Sequence, residues 1–186
     1  MVKSYRNLED YIVKYHNVLT EQEINYIISF PNYTWNKHQW TTNDTLVDNS
    51  DDSKEFDVSY PHNTISRLIL NNAINKVLEW YSVEFKIVHK THTVPRINRY
   101  SAGHQIEGHY DHITNIFEES KKGIPILSIV GLLNNNFEGG EFYFWEDTKY
   151  FLTTGDVLVF PSIFMYKHGV TPVRTGERWS FVSWAY

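Results

Sequence analysis

Apolar positions recur at two periods along this chain, and the helical period gives way to a strand-like one at Phe85. Ile65, Leu68, Ile69, Ala73, Val77, Leu78 and Tyr81 fall near i, i+3, i+4 spacing, which predicts a helix from a cap at Asn63 to about Ser82. A shorter helix is predicted after Thr20. There T-E-Q-E forms a capping box, Glu23 reaches back to the Thr20 amide, Ile24, Ile27 and Ile28 follow, and Pro31 marks the stop. Tyr11 to Leu19 is apolar and β-branched enough for a strand, and Asn32 to Trp40 reads as another. Beyond Phe85 almost everything reads as strand. Lys86 to Val94 alternates, Pro95 breaks it, and Arg96 to Tyr100 resumes. Thr114 to Gly123 is a loop, Pro125 to Leu133 an apolar run of buried-strand length, and Asn134 to Gly140 a turn before Glu141 to Trp145. Short strands with regular turn signals predict a sandwich or barrel, with the longer helix packed outside a sheet.

One long polar stretch interrupts this pattern. Thr41 to Asp57 is rich in Asn, Asp, Ser and Thr, with acids at 44, 48, 51, 52, 55 and 57. It reads as a solvated surface loop. A flap over a substrate entrance is the sharper alternative, because long loops in compact domains are often functional. The Gly and terminal Glu of an EF-hand loop are missing from D-N-S-D-D-S.

Composition narrows the class. The 186 residues suffice for one domain with a sizeable core, whereas two domains would each be small. A 16% aromatic share with 21% charged residues indicates a folded globular chain rather than a disordered one. The net charge of −5 argues against a general nucleic-acid or other polyanion binder. With no Cys, disulfides and thiolate metal sites are ruled out. The first residues, M-V-K-S-Y-R-N-L-E-D-Y, hold no apolar signal core, and no run reaches membrane-spanning length. A soluble cytoplasmic protein with no membrane partner is the expectation.

The chemistry concentrates in Tyr100 to His112, Y-S-A-G-H-Q-I-E-G-H-Y-D-H. On an extended segment His109 and Asp111 project from the same face, while His112 is out of phase and faces away. Imidazole nitrogen and carboxylate oxygen suit a first-row divalent metal, and His168 is the best candidate for a third ligand. Two His and one carboxylate make the facial triad of non-haem Fe(II) oxygenases, with the opposite positions open. His104 and Glu107 lie close enough in sequence to compete as ligands. His16, His38, His62, His89 and His92 read as ordinary surface or semi-buried residues.

Downstream come F-E-G-G-E-F-Y-F at Phe137 to Phe144, G-D-V-L-V-F-P-S at Gly155 to Ser162, His168, and Arg178 ten positions later. In that order, from about Val94 to Tyr186, the chain resembles the 2-oxoglutarate- and Fe(II)-dependent oxygenases of the prolyl 4-hydroxylase-like branch. The resemblance implies a mainly β double-stranded β-helix (jelly-roll) core buttressed by the two N-terminal helices. One domain would cover residues 1–186, with 1–93 supplying helical support and outer strands and 94–186 the core. It implies Fe(II) on His109, Asp111 and His168, and Arg178 paired with the distal carboxylate of 2-oxoglutarate. Ser180, Trp184 and Tyr100 match positions lining that cosubstrate pocket, and Gly139 and Gly140 match turn glycines fixed by the backbone. Two departures stand out: Leu132 where some members carry a tyrosine, and Phe142 where a threonine is usual.

The implied reaction consumes 2-oxoglutarate and O2, releases succinate and CO2, and hydroxylates an unactivated C–H bond, with ascorbate as a stimulant. A prolyl residue of a peptide or protein is the expected substrate. Another residue, a free amino acid or a nucleobase is the alternative within the chemistry. Outside it stand a metal-bearing jelly-roll without turnover and a zinc hydrolase using two His and an Asp.

Overall fold

In the computed structural model, which describes residues 7–42, 45–47, 54–111 and 124–186, local sequence starts both helices where expected. The chain opens with a 3-10 turn (Leu8–Tyr11), then β1 (Val13–Tyr15), α1 (Glu21–Ile28), β2 (Asn36–Lys37), β3 (Trp40–Thr42), β4 (Thr45–Val47), β5 (Asp57–Ser59) and α2 (Thr64–Phe85). There follow β6 (Arg96–Tyr100), β7 (Ile106–His109), β8 (Leu127–Leu132), β9 (Phe137–Gly139), β10 (Phe142–Phe144) and β11 (Thr148–Tyr150). The last four strands are β12 (Val157–Pro161), β13 (His168–Val170), β14 (Val173–Gly176) and β15 (Arg178–Ala185).

The Thr20 amide donates to Glu23 Oε2 at 2.8 Å and the Glu23 amide to Thr20 Oγ1 at 3.3 Å, completing the capping box of α1. Asn63 Oδ1 accepts from the Ser66 amide at 2.7 Å at the start of α2. That helix runs one turn past Ser82 and ends where Lys86 turns left-handed at φ 54°.

Seven strands form one antiparallel sheet in the order β1-β12-β8-β15-β6-β5-β2, and four form a second, β11-β10-β13-β7. Alternation along β15 sends Phe181 and Ala185 to one core, with Leu70, Ile74, Val77, Leu78 and Tyr81 of α2. Val182 and Trp184 go to the other core, with Phe142, Phe144 and Val170 of the smaller sheet. Two facing sheets with helices behind the larger give the expected jelly-roll. All six residues of β8 are buried, which is why that strand reads as an apolar run interrupted only by the hydroxyl of Ser128.

Four expected elements differ. Only Val13–Tyr15 of Tyr11 to Leu19 is strand, because Asn17 takes φ 51° and the amides of Val18 and Leu19 both turn to the Gly155 carbonyl. Asn32 to Trp40 yields only Asn36–Lys37 and the first residue of β3, since Tyr33 and Trp35 fold onto Trp179 instead of pairing. Lys86 to Val94 forms no strand. It leaves the left-handed Lys86 and makes a single bridge, His92 to Ala185, while the amides of Lys90 and Thr91 bond the Tyr186 carbonyl. Thr41 to Asp57 is not simply a loop, because β3 and β4 pair within it and β5 begins at its end. Residues 43–44 and 48–53 of the candidate flap and the expected loop Thr114 to Gly123 lie outside the described residues. Among the described residues, no helix is long and apolar enough to cross a membrane.

Candidate metal and cosubstrate site

β7 and β13 are neighbours in the smaller sheet, and their register sets His109 directly against His168. Asp111 follows two residues after β7 ends and turns its carboxylate between them. Its Oδ1 is 3.4 Å from His109 Nε2 and its Oδ2 is 3.4 Å from His168 Nε2. One ligand atom from each of the three residues lies within 4.8 Å of the others, which suits a single ion.

The donors are prepared for that ion. His109 Nδ1 lies 2.9 Å from the Glu107 carbonyl and His168 Nδ1 is 2.9 Å from the Tyr166 carbonyl. A carbonyl only accepts, so each Nδ1 holds the proton and each Nε2 is left to offer its lone pair. Asp111 is buried, which alone would raise its pKa. His168 and His109 outweigh that, so the carboxyl stays well below its usual range and anionic. Ser128 Oγ of β8 donates to Asp111 Oδ2 at 2.7 Å and fixes its second oxygen. Behind His168 stand Phe142, stacked at 5.5 Å, and Phe160, edge-on at 4.8 Å. Phe142, a departure from the usual threonine, therefore forms the wall that keeps the His168 ring in place.

Arg178, 2% exposed, is buried at the start of β15 rather than lying in a surface turn. Its Nη1 donates to Ser180 Oγ at 2.9 Å, its guanidinium carbon lies 5.3 Å from the Tyr100 ring centre, and its Nε has no partner among the described residues. Burial lowers its pKa from the free value, and the neighbouring Tyr100 oxygen works the other way. Gly140 makes room for it. A Cβ there would lie 2.9 Å from Arg178 Cδ, and φ of +61° favours glycine in any case. Trp184, on the same strand face, is half-buried with its Nε1 enclosed and unpartnered among the described residues. Burial pushes the Tyr100 phenol up to about 12, against the lowering pull of Arg178 and Arg96, so it is a hydrogen-bond donor at neutral pH. A charged fork and orphaned N–H groups on one face fit a dicarboxylate lying between Arg178 and the three metal-ligand candidates.

The structure thus brings His109, Asp111 and His168 together and gathers Tyr100, Arg178, Ser180 and Trp184 on the adjoining sheet face. His104 and Glu107 do not join the cluster: His104 Nδ1 accepts from the Ser101 amide, and Glu107 contributes only its carbonyl. His112 lies outside the described residues. His38 corrects the expectation of an ordinary histidine. It is buried and stacks on Phe56 at 4.5 Å, and Phe56 stacks on Tyr100 at 4.3 Å, so it stands in the wall of the site. Arg96, Asn98, Phe56, Ser128 and Ser162 were also missed. Only Ser128 carried a local signal, a hydroxyl inside an otherwise apolar strand.

Comparison with known proteins agrees with this geometry. The 2OG-Fe(II) oxygenase superfamily matches residues 95–186. A PKHD-type hydroxylase from Synechococcus sp. (strain CC9605) is 32% identical over 167 residues, covering 84% of this chain and 68% of that protein. The viral collagen prolyl hydroxylase from Paramecium Bursaria Chlorella virus-1 superposes with a TM-score of 0.64 at 16% identity, covering 94% of each chain. The Trichoplax adhaerens prolyl hydroxylase, solved with a hypoxia inducible factor peptide fragment, gives 0.69 at 14% identity over 95% of this chain and 83% of that one. These two structures speak to the fold alone.

Proposed function

Because the chain belongs to the 2OG-Fe(II) oxygenase superfamily, we propose that it hydroxylates a prolyl residue of a peptide or protein, with iron on His109, Asp111 and His168 and 2-oxoglutarate on Arg178. The family itself implies Fe(II), 2-oxoglutarate and O2. Residues 1–186 act as one oxygenase domain in this proposal, with α1 and α2 stiffening the outer face of the larger sheet.

The observation that carries the assignment is the pairing of the His109, Asp111 and His168 cluster with a buried Arg178 on the neighbouring sheet. An enclosed guanidinium beside the cluster suits a cosubstrate that carries a second carboxylate. Nδ1 donation by both histidines holds Nε2 toward the ion, and Ser128 keeps the Asp111 carboxylate turned inward. Arg178 pairs with the distal carboxylate of the cosubstrate while Ser180, accepting from Nη1, holds the fork in plane. Tyr100 and Trp184 supply neutral donors beside it and exclude water from the pocket. Iron, when bound, supplies the O2 chemistry that couples decarboxylation of 2-oxoglutarate to succinate and CO2 with oxygen insertion into a C–H bond. Ascorbate would then sustain turnover. The hydroxylase relative supports hydroxylation, and the prolyl substrate rests on the resemblance to the prolyl 4-hydroxylase-like branch, while Leu132 and Phe142 leave room for another residue, a free amino acid or a nucleobase.

Anaerobic addition of Fe(II) and 2-oxoglutarate should produce the weak metal-to-ligand charge-transfer band of the chelate. Succinate release should then rise with a prolyl peptide over the uncoupled rate. Absence of the band would refute the cosubstrate assignment, and a band without peptide stimulation would refute the prolyl substrate.

A further inference from the structure

Arg96 is a second cation at this site, and the chemistry above gives it no task. It opens β6 and faces the same side of the larger sheet as Tyr100, opposite Val182 of β15. Its guanidinium carbon lies 5.3 Å from the Trp184 ring centre and 5.9 Å from that of Phe56. Nε donates to Asn98 Oδ1 at 3.0 Å, which fixes the plane of the fork. No carboxylate among the described residues forms an ion pair with it. After the phenols of Tyr60 and Tyr100, the group acting on it is the Asp111 carboxylate, which is already engaged by His109, His168 and Ser128.

Charge balance makes this cation informative. In the loaded site the ion and Arg178 are matched by Asp111 and the two carboxylates of 2-oxoglutarate. Among the described residues the charge of Arg96 is left over beside the reacting centre, in surroundings that penalise an unmatched charge. Two Nη groups presented by a fork held among aromatic rings suit a planar, two-oxygen anion. We propose that Arg96 binds a carboxylate of the substrate and so selects for an acid close to the hydroxylated carbon. This inference rests on the assignment of iron and 2-oxoglutarate to the four residues above. The carboxylate has two sources, the free α-carboxylate of a small substrate or an acidic side chain next to the target residue of a peptide.

Calorimetry on the anaerobic Mn(II)- and 2-oxoglutarate-loaded protein tests it with two matched pairs of probes. N-acetyl-L-proline against N-acetyl-L-prolinamide isolates an α-carboxylate, and blocked Glu-Pro against blocked Gln-Pro dipeptide isolates a side-chain acid. In one pair or the other the parent should bind the acid about tenfold or more tightly, the size expected for a hydrogen bond to a charged group. Arg96→Met, which keeps a linear chain between the aromatic rings, should erase that preference. Arg96→Lys should keep part of it. Neither change should move the affinity for 2-oxoglutarate or the charge-transfer band with Fe(II). Equal binding of acid and amide by the parent in both pairs overturns the proposal without any variant, as does a preference that survives Arg96→Met. A 2-oxoglutarate affinity that collapses in Arg96→Met assigns the arginine to the cosubstrate instead. A parent protein that never gives the band refutes the cosubstrate assignment itself, and this inference with it.

Discussion

Ser128 Oγ and Asp111 Oδ2 are joined by a 2.7 Å hydrogen bond that ties the larger sheet to the metal-ligand cluster. A carboxylate only accepts, so Ser128 spends its single proton there. Ser162 Oγ, also 2.7 Å from Ser128 Oγ, must then be the donor in that second contact. The chain of hydroxyls holds the Asp111 carboxylate in its orientation toward the two histidines. Partners of this kind typically hold about 10–100-fold in metal affinity. Ser128→Ala should weaken Fe(II) binding by about that factor in an anaerobic titration, and Ser162→Ala by less. An unchanged Fe(II) affinity in Ser128→Ala would remove the positioning role.

Gly140 gives a test of cosubstrate geometry that leaves the charge of Arg178 untouched. Ala at this position takes on a left-handed backbone, at a cost of about 1–2 kcal/mol. Its Cβ also displaces Arg178 Cδ from 2.9 Å. Gly140→Ala should therefore lower the melting temperature by a few degrees and weaken 2-oxoglutarate binding, with Fe(II) affinity preserved. Normal 2-oxoglutarate affinity in a folded variant would show that Arg178 has slack the structure does not suggest.

What was legible in the sequence was what short-range physics controls. Caps at Thr20 and Asn63 start helices through contacts three residues away, and T-E-Q-E carries its own partners. The metal cluster was legible too, because His109 and Asp111 sit together and the distances to His168 and Arg178 follow the order of the strands. The wall of the site was not. His38, Phe56, Tyr100 and Arg178 come from four separate segments, brought together by the pairing of β6 with β15, the His38 amide on the Phe56 carbonyl, and ring contacts across the fold. No period in the sequence records such a column. Lys86 to Val94 failed for the converse reason. Its alternation is real, but a left-handed Lys86 and the carbonyl of Tyr186 take up amides that a ladder would need.

Asp156 predicts a dependence on pH away from the metal. Its Oδ2 accepts from the Thr153 amide and hydroxyl, both at 2.9 Å, and its Oδ1 from the Asn17 amide at 3.3 Å. Burial raises its pKa, but the Thr153 and Asn17 donors and His16 together bring it below the usual carboxylate value. A depressed folded pKa adds stability above the unfolded value of about 3.9, and that stability is lost as pH falls through the folded value. Asp156→Asn should cost about 1–3 kcal/mol at pH 7 in urea melts. The gap between variant and parent should close below about pH 4. A gap that is constant between pH 7 and 3 would mean that the carboxylate charge contributes nothing.

Arg178 separates a 2-oxoglutarate enzyme from any other use of a His, Asp, His metal site. Its guanidinium is buried, held by Ser180 and faced by Tyr100, with Nε unpartnered among the described residues. Removing one partner of a buried, charge-assisted pair typically costs about 2–5 kcal/mol, much of it the penalty of leaving the other charge unmatched. Arg178→Ala should accordingly weaken 2-oxoglutarate binding by roughly thirtyfold or more, at about 1.4 kcal/mol per decade. Fe(II) affinity should hardly change, because the arginine is not among the three candidate ligands. Arg178→Lys should restore part of the loss by returning the charge without the fork. Ser180→Ala should cost less than Arg178→Ala, since it frees the guanidinium plane but leaves its charge in place. Calorimetric titration of 2-oxoglutarate into the Mn(II)-loaded variants orders all three. Binding by Arg178→Ala as tight as that of the parent would sink the cosubstrate assignment and leave a metal centre in search of another chemistry.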